Sequence, residues 1–177
     1  MDGIRVTCLI ATLSSVFFVG PSSASCESIT VQGLVFTGVG KPGDFGWMIR
    51  QTSYHDVLFI FNDNIQQSTE YIQNFEEPPT DACSAGGGNA VIRPYQCLVP
   101  QRAVGIPTGP DFARLDESVK SPIDLALMRA REIVSEYGYC KIFYNSRDEN
   151  GIIGTNIFTV GDDVKAYITA GIRKLAN

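Results

Sequence analysis

The stretch "DVLFIF", residues 56–61, constrains this chain more than any other part of it. Apolar, β-branched and aromatic residues follow one another without the polar alternation of a half-exposed strand, until the run stops at Asn62, Asp63 and Asn64. A strand of that composition is central and buried on both faces, the pattern of parallel sheets covered by helices on each side. "ITVQGLVFTGVG" (29–40) alternates well enough for another strand. "RAVGIPTG" (102–109) reads as a short strand and a turn, and "YCKIFYNS" (139–146) as a strand ending in small polar residues.

Helical patterns lie between and after these strands. In "SPIDLALMRAREIVSEYG" (121–138), Ser121 is placed to cap, Pro122 to open, Asp124 to favour the dipole and Gly138 to close a helix. Its Ile123, Leu127, Ala130 and Val134 share one face. "DDVKAYITAGIRKLA" (162–176) is amphipathic, with Val164, Ile168, Gly171 or Ile172, and Leu175 inward. Residues 66–82 are polar, end before a cysteine and carry Pro78 and Pro79, so a surface excursion with one short helix is expected. Pro94 limits any helix after residue 88 to one or two turns. Strands alternating with helices predict one α/β domain over residues 26–177: a three-layer α/β/α sandwich with a mixed, largely parallel sheet.

The first 25 residues read as a secretory signal peptide: a short head with Arg5, the uncharged run 6–20, then small residues around Ala24 and Ser25. That run is short for a membrane span, so no stable membrane association is expected after cleavage. A secreted or secretory-pathway protein follows, with the cytoplasm as the alternative if the segment stays. Cleavage removes Cys8 and leaves Cys26, Cys83, Cys97 and Cys140, an even count that permits two disulfides in three connectivities. Cys140, within an apolar strand, reads as a small buried hydrophobe.

A net charge of −5 without a basic stripe argues against nucleic acid as a partner. No GxxxxGK[ST] and no GxSxG occurs, and His55 is the single histidine. With no CxxC either, neither a transition-metal site nor a cofactor is expected.

In a parallel sheet, ligands bind beyond the carboxyl ends of the strands. Three segments fall there: Asn62, Asp63 and Asn64; the glycines Gly86, Gly87 and Gly88 with Asn89; and Gly154, Thr155, Asn156, Ile157 and Phe158. Plain structural readings stand beside this: an Asx turn for "NDN", a flexible turn for "GGG", and a surface ion pair for the nearby Arg93. Their joint placement at strand ends points to a crevice.

The order "PGDFG" (42–46), "DVLFIFNDN" (56–64), "GGGNAVIRP" (86–94), "KIFYNS" (141–146) and "GTNIFTVGDDVKAYI" (154–168) resembles the macrodomain family of ADP-ribose-binding α/β/α modules. The resemblance spans roughly residues 30–177 and is most specific at "GGGNA" and "GTNIF". It implies a small-molecule ligand, ADP-ribose or a related nucleotide diphosphate, free or on an ADP-ribosylated protein. Asp44 would then accept from the adenine amino group, and Asn62 or Asn64 would hold the distal ribose. Gly86, Gly87 and Gly88 would bring backbone N–H groups to the ribose and pyrophosphate as a phosphate-binding loop. Residues 154–158 would close the other side, with Phe158 near a ribose. If the protein is an enzyme, the implied reaction is metal-independent hydrolysis of an ADP-ribosyl linkage, with the ligand's own phosphate and Asn62 or Asn64 orienting water. Asn89, Ala90 and Val91 stand where hydrolytic members often carry an acidic residue. The alternative is a secreted, disulfide-stabilised interaction protein on the same α/β fold, without nucleotide activity.

Overall fold

A computed structural model describes residues 26–155 and 158–177. The expected signal peptide (1–25), Asn156 and Ile157 lie outside the described residues. Among the described residues four strands form one sheet: β1 (Thr30–Val35), β2 (Val57–Asp63), β3 (Ala103–Pro107) and β4 (Lys141–Ser146). Their order is β1-β4-β2-β3, and every described strand pairing is parallel. The expectation of a mixed sheet is thus corrected to a parallel one, apart from an isolated antiparallel bridge between Ser146 and Ile153.

β2 is interior, as its continuous apolar run predicts. Residues 57 to 61 are 0–1% exposed. Strand alternation sends them to two separate cores. Leu58 and Ile60 pack with Ile123, Ala130, Ile168 and Ile172 of α4 (Glu117–Tyr137) and α5 (Asp162–Arg173). Val57, Phe59 and Phe61 pack with Phe45 and Met48 of the one-turn helix α1 (Phe45–Met48) and with Ile92 of a 3₁₀ segment, Gly88–Gln96. Long helices therefore cover one face and short helical pieces the other. α2 (Ile65–Gln73) and the one-turn α3 (Thr80–Cys83) follow β2.

Local differences from expectation have physical reasons. α4 starts at Glu117, five residues before the expected opening at Pro122, because the Asp116 carboxylate accepts from the N–H groups of Ser118 and Val119 at 2.9 and 3.2 Å. The extra turn buries Val119. Pro122 then lies inside the helix, where it withdraws one backbone donor. Gly138 does close the helix, at φ +69°. The glycines lead into 3₁₀ rather than α-helix, and Pro94 sits within it.

Two disulfides join Cys26 to Cys140 and Cys83 to Cys97, with Cα atoms 5.5 and 5.9 Å apart. The reading of Cys140 as an unpaired hydrophobe is overturned. Pairing of Thr30 with Lys141 brings the amino ends of β1 and β4 together, and with them Cys26 and Cys140. Such bonds persist in oxidising compartments. Among the described residues no helix is long and apolar enough to cross a membrane.

Candidate functional site

The chain leaves β2 toward β3 and returns across it to β4, so strand order reverses between the carboxyl ends of β2 and β4. Parallel α/β sheets bind ligands at such points. A cavity of about 570 Å³ opens there, within the range of small-molecule sites. Its wall includes every described residue expected at the site: Asp44, then 62–64, 86–89, 154, 155 and 158. Bringing segments from across the sequence into one crevice is the work of the sheet.

Asp44 stands at the β1 end of the crevice. Its carboxylate caps α1 by accepting from Trp47 N at 3.2 Å and also accepts from Gly40 N at 2.9 Å. Gly43 just before it has φ +97°, and a Cβ there would meet the Val35 carbonyl oxygen at 2.1 Å. Only glycine lets this turn press onto the end of β1 and place Asp44.

The three residues after the apolar run separate into three roles. Asn62 Nδ2 donates to the Gly154 carbonyl at 2.7 Å, fixing the loop after β4 to the end of β2. Asn64 caps α2, its Oδ1 accepting from Gln67 N at 2.9 Å, so the Asx reading holds there. The Asp63 side chain is fully buried against Arg93, whose Nη2 and Nε lie 2.5 and 3.1 Å from its oxygens. Burial pushes the Asp63 carboxyl above the ordinary aspartate range, and the Arg93 guanidinium and the Asn64 N–H pull it back. Asp63 thus lines the cavity as the buried partner of Arg93, and Arg93 is corrected from a surface ion pair to a buried, cavity-lining one.

Arg93 also carries the glycine loop. Its Nη1 donates to the Ser84 carbonyl at 2.7 Å, and a Cβ on Gly86 would come within 2.9 Å of Nη2. Gly86 N donates to Ala90 O at 2.9 Å, so that N–H is engaged and not open to a phosphate. The N–H groups of Gly87, Gly88 and Asn89 have no acceptor among the described residues. The start of a helical segment leaves such donors free.

On the opposite wall, the Gly154 carbonyl accepts from both Asn62 and Asn145, the latter at 2.8 Å, and its N–H donates to Asn145 O at 3.2 Å. Thr155 N–H has no acceptor among the described residues. Phe158, 36% exposed, lies against Gly109, where a Cβ would be 2.7 Å from that of Phe158. Asn156 and Ile157 are outside the described residues.

Asn145 and Gln67 line the cavity without having been singled out in the sequence. With Asn62 they leave three buried amide oxygens without a partner. Asn145 ends β4 as Asn62 ends β2, and that shared signal in "FYNS" identifies it. Gln67 carries no such signal. Among the described residues no group of three or more His, Cys, Asp or Glu is placed to hold a metal.

Comparison with protein-family models, with curated proteins and with solved structures finds no match to this chain.

Proposed function

We propose that the crevice binds ADP-ribose or a related nucleotide diphosphate, free or attached to a protein. One observation carries this reading: the free N–H groups of Gly87, Gly88 and Asn89 on a concave wall at the carboxyl ends of a parallel sheet. Backbone donors of this kind favour a phosphate group without net positive charge on the protein. The macrodomain resemblance of residues 30–177 supports the same ligand class. Binding is favoured over hydrolysis, because Asn89, Ala90 and Val91 leave no acidic side chain just after the glycines. Two disulfides, with the expected leader, support a place in the secretory pathway.

Thermal unfolding with ADP-ribose, ADP, AMP and ribose 5-phosphate in parallel tests the proposal. A ligand at about 100 times its dissociation constant stabilises the fold by roughly 2.7 kcal/mol. Gly87 is exposed, has φ −78°, and a Cβ there would meet nothing within 4 Å. G87V therefore keeps the melting temperature and loses the shift. Four ligands without a shift at millimolar concentration would sink the nucleotide reading and leave the disulfide-stabilised interaction protein in its place.

A further inference from the structure

Cys83 and Cys97 bracket the glycine wall of the crevice. The bond between them closes a loop that contains Gly86, Gly87, Gly88, Asn89 and Arg93. The two halves of that loop are held differently. The second half is anchored to the sheet: Arg93 pairs with Asp63 of β2, and Gln96 Oε1 accepts from Gly105 N of β3 at 3.3 Å. Tyr95 O accepts from Arg102 N at 3.0 Å as the chain enters β3. The first half leaves α3 at Cys83, where Ser84 bonds back to Thr80 and Asp81, and is otherwise held by the second. Arg93 Nη1 holds Ser84 O, Gln96 Nε2 holds Ala82 O at 2.7 Å, and Ala90 O holds Gly86 N. Gly87 and Gly88 themselves are exposed. The disulfide is the one covalent tie in this set, and it closes the chain most prone to conformational freedom.

We infer that the Cys83–Cys97 disulfide is a redox latch on the glycine wall. Closed, it holds the N–H groups of Gly87, Gly88 and Asn89 in place for an anionic group. Open, it lets the first half of the loop swing from its anchor and the crevice loses affinity. Opening is thiol–disulfide exchange with a dithiol reductant. The reductant gives up two electrons and two protons and becomes a disulfide, while the Cys83–Cys97 bond becomes two thiols. Closing runs in reverse with a disulfide-bearing oxidant. The chain is thereby competent to bind in an oxidising compartment and not in a reducing one. Only the ligand arm of this inference rests on the nucleotide reading; the loosening of the wall does not. Cys26–Cys140 supplies a control, since it joins the amino ends of β1 and β4, away from the crevice.

Amide hydrogen exchange of the full chain tests the latch in four samples: oxidised wild type, C83A/C97A, C26A/C140A, and wild type reduced with dithiothreitol. Exchange of the hydrogen-bonded Gly86 and Ala90 amides rises at least about tenfold in C83A/C97A and in reduced wild type, and stays at the wild-type rate in oxidised C26A/C140A. If the competent wall falls to about one molecule in ten, the ADP-ribose dissociation constant weakens about tenfold. Should C83A/C97A fail to fold, partial reduction of wild type, with alkylation and mass analysis showing which bond is open, gives the same comparison. Gly86 and Ala90 amide rates within about twofold of oxidised wild type, with that bond open, overturn the latch. Faster exchange with no ADP-ribose bound in either state supports the latch and overturns the nucleotide reading.

Discussion

Replacing Arg93 by methionine leaves the Asp63 carboxylate fully buried with the Asn64 N–H as its remaining donor. Removing one partner of a buried pair costs about 3–5 kcal/mol, because the survivor keeps its desolvation penalty and loses its compensation. Against a typical total of about 5–15 kcal/mol, that is a large share. For a domain of this size it lowers Tm by about 6–20 °C. The deficit depends on pH. Burial already holds the Asp63 carboxyl above its ordinary range, and loss of the guanidinium raises it further. A carboxyl whose folded pKa lies above its unfolded value is best tolerated below that unfolded value, about 3.9. R93M is therefore nearest to wild type around pH 4 and falls behind as pH rises to 7. Urea unfolding followed by the fluorescence of Trp47, the one tryptophan, measures this at both pH values. The double variant D63N/R93M, which removes the buried charge, recovers most of the loss. An R93M deficit under about 1 kcal/mol at pH 7, or one that does not change with pH, would refute the buried ion pair as the support of the glycine wall.

Other expectations follow from single contacts. G43A forces a side chain into a φ of +97° and onto the Val35 carbonyl, so it destabilises by at least about 2 kcal/mol; a Tm within a degree of wild type would contradict this. D116A removes the cap of α4 and lowers Tm, whereas S121A, inside the helix, leaves it in place; circular dichroism melts separate the two. Burial pushes the Tyr139 hydroxyl, which donates to Gln101 O at 2.9 Å, up to about 12. Its contribution is present below about pH 10 and is lost as pH climbs through 12, on the order of 2–3 kcal/mol, so Y139F shows a shallower alkaline fall in urea midpoint than wild type.

Much of the architecture was legible because burial periodicity is a local signal. The unbroken run 56–61 announced an interior strand, and the spacing of Ile123, Ala130 and Val134 announced the face of α4 that meets it. The start of that helix was not legible. Asp116 and Ser121 are both competent caps, and the choice was made by the core that receives Val119. At the crevice, the carboxyl-end rule collected segments that line one cavity but could not assign their roles. Asp63, Asn62 and Asn64 are consecutive in sequence and alike in polarity. One is buried against a guanidinium 30 residues away, one reaches a carbonyl 92 residues away, and one caps the next helix.

By itself the sequence determined an α/β chain with strand ends rich in asparagine and glycine, because composition and period report which residues must leave water. The tertiary structure alone decided which cysteines join, which amides are engaged and which backbone donors remain free. Those outcomes depend on what long-range packing brings within hydrogen-bond or bonding distance, and parallel strands take their partners from far along the chain.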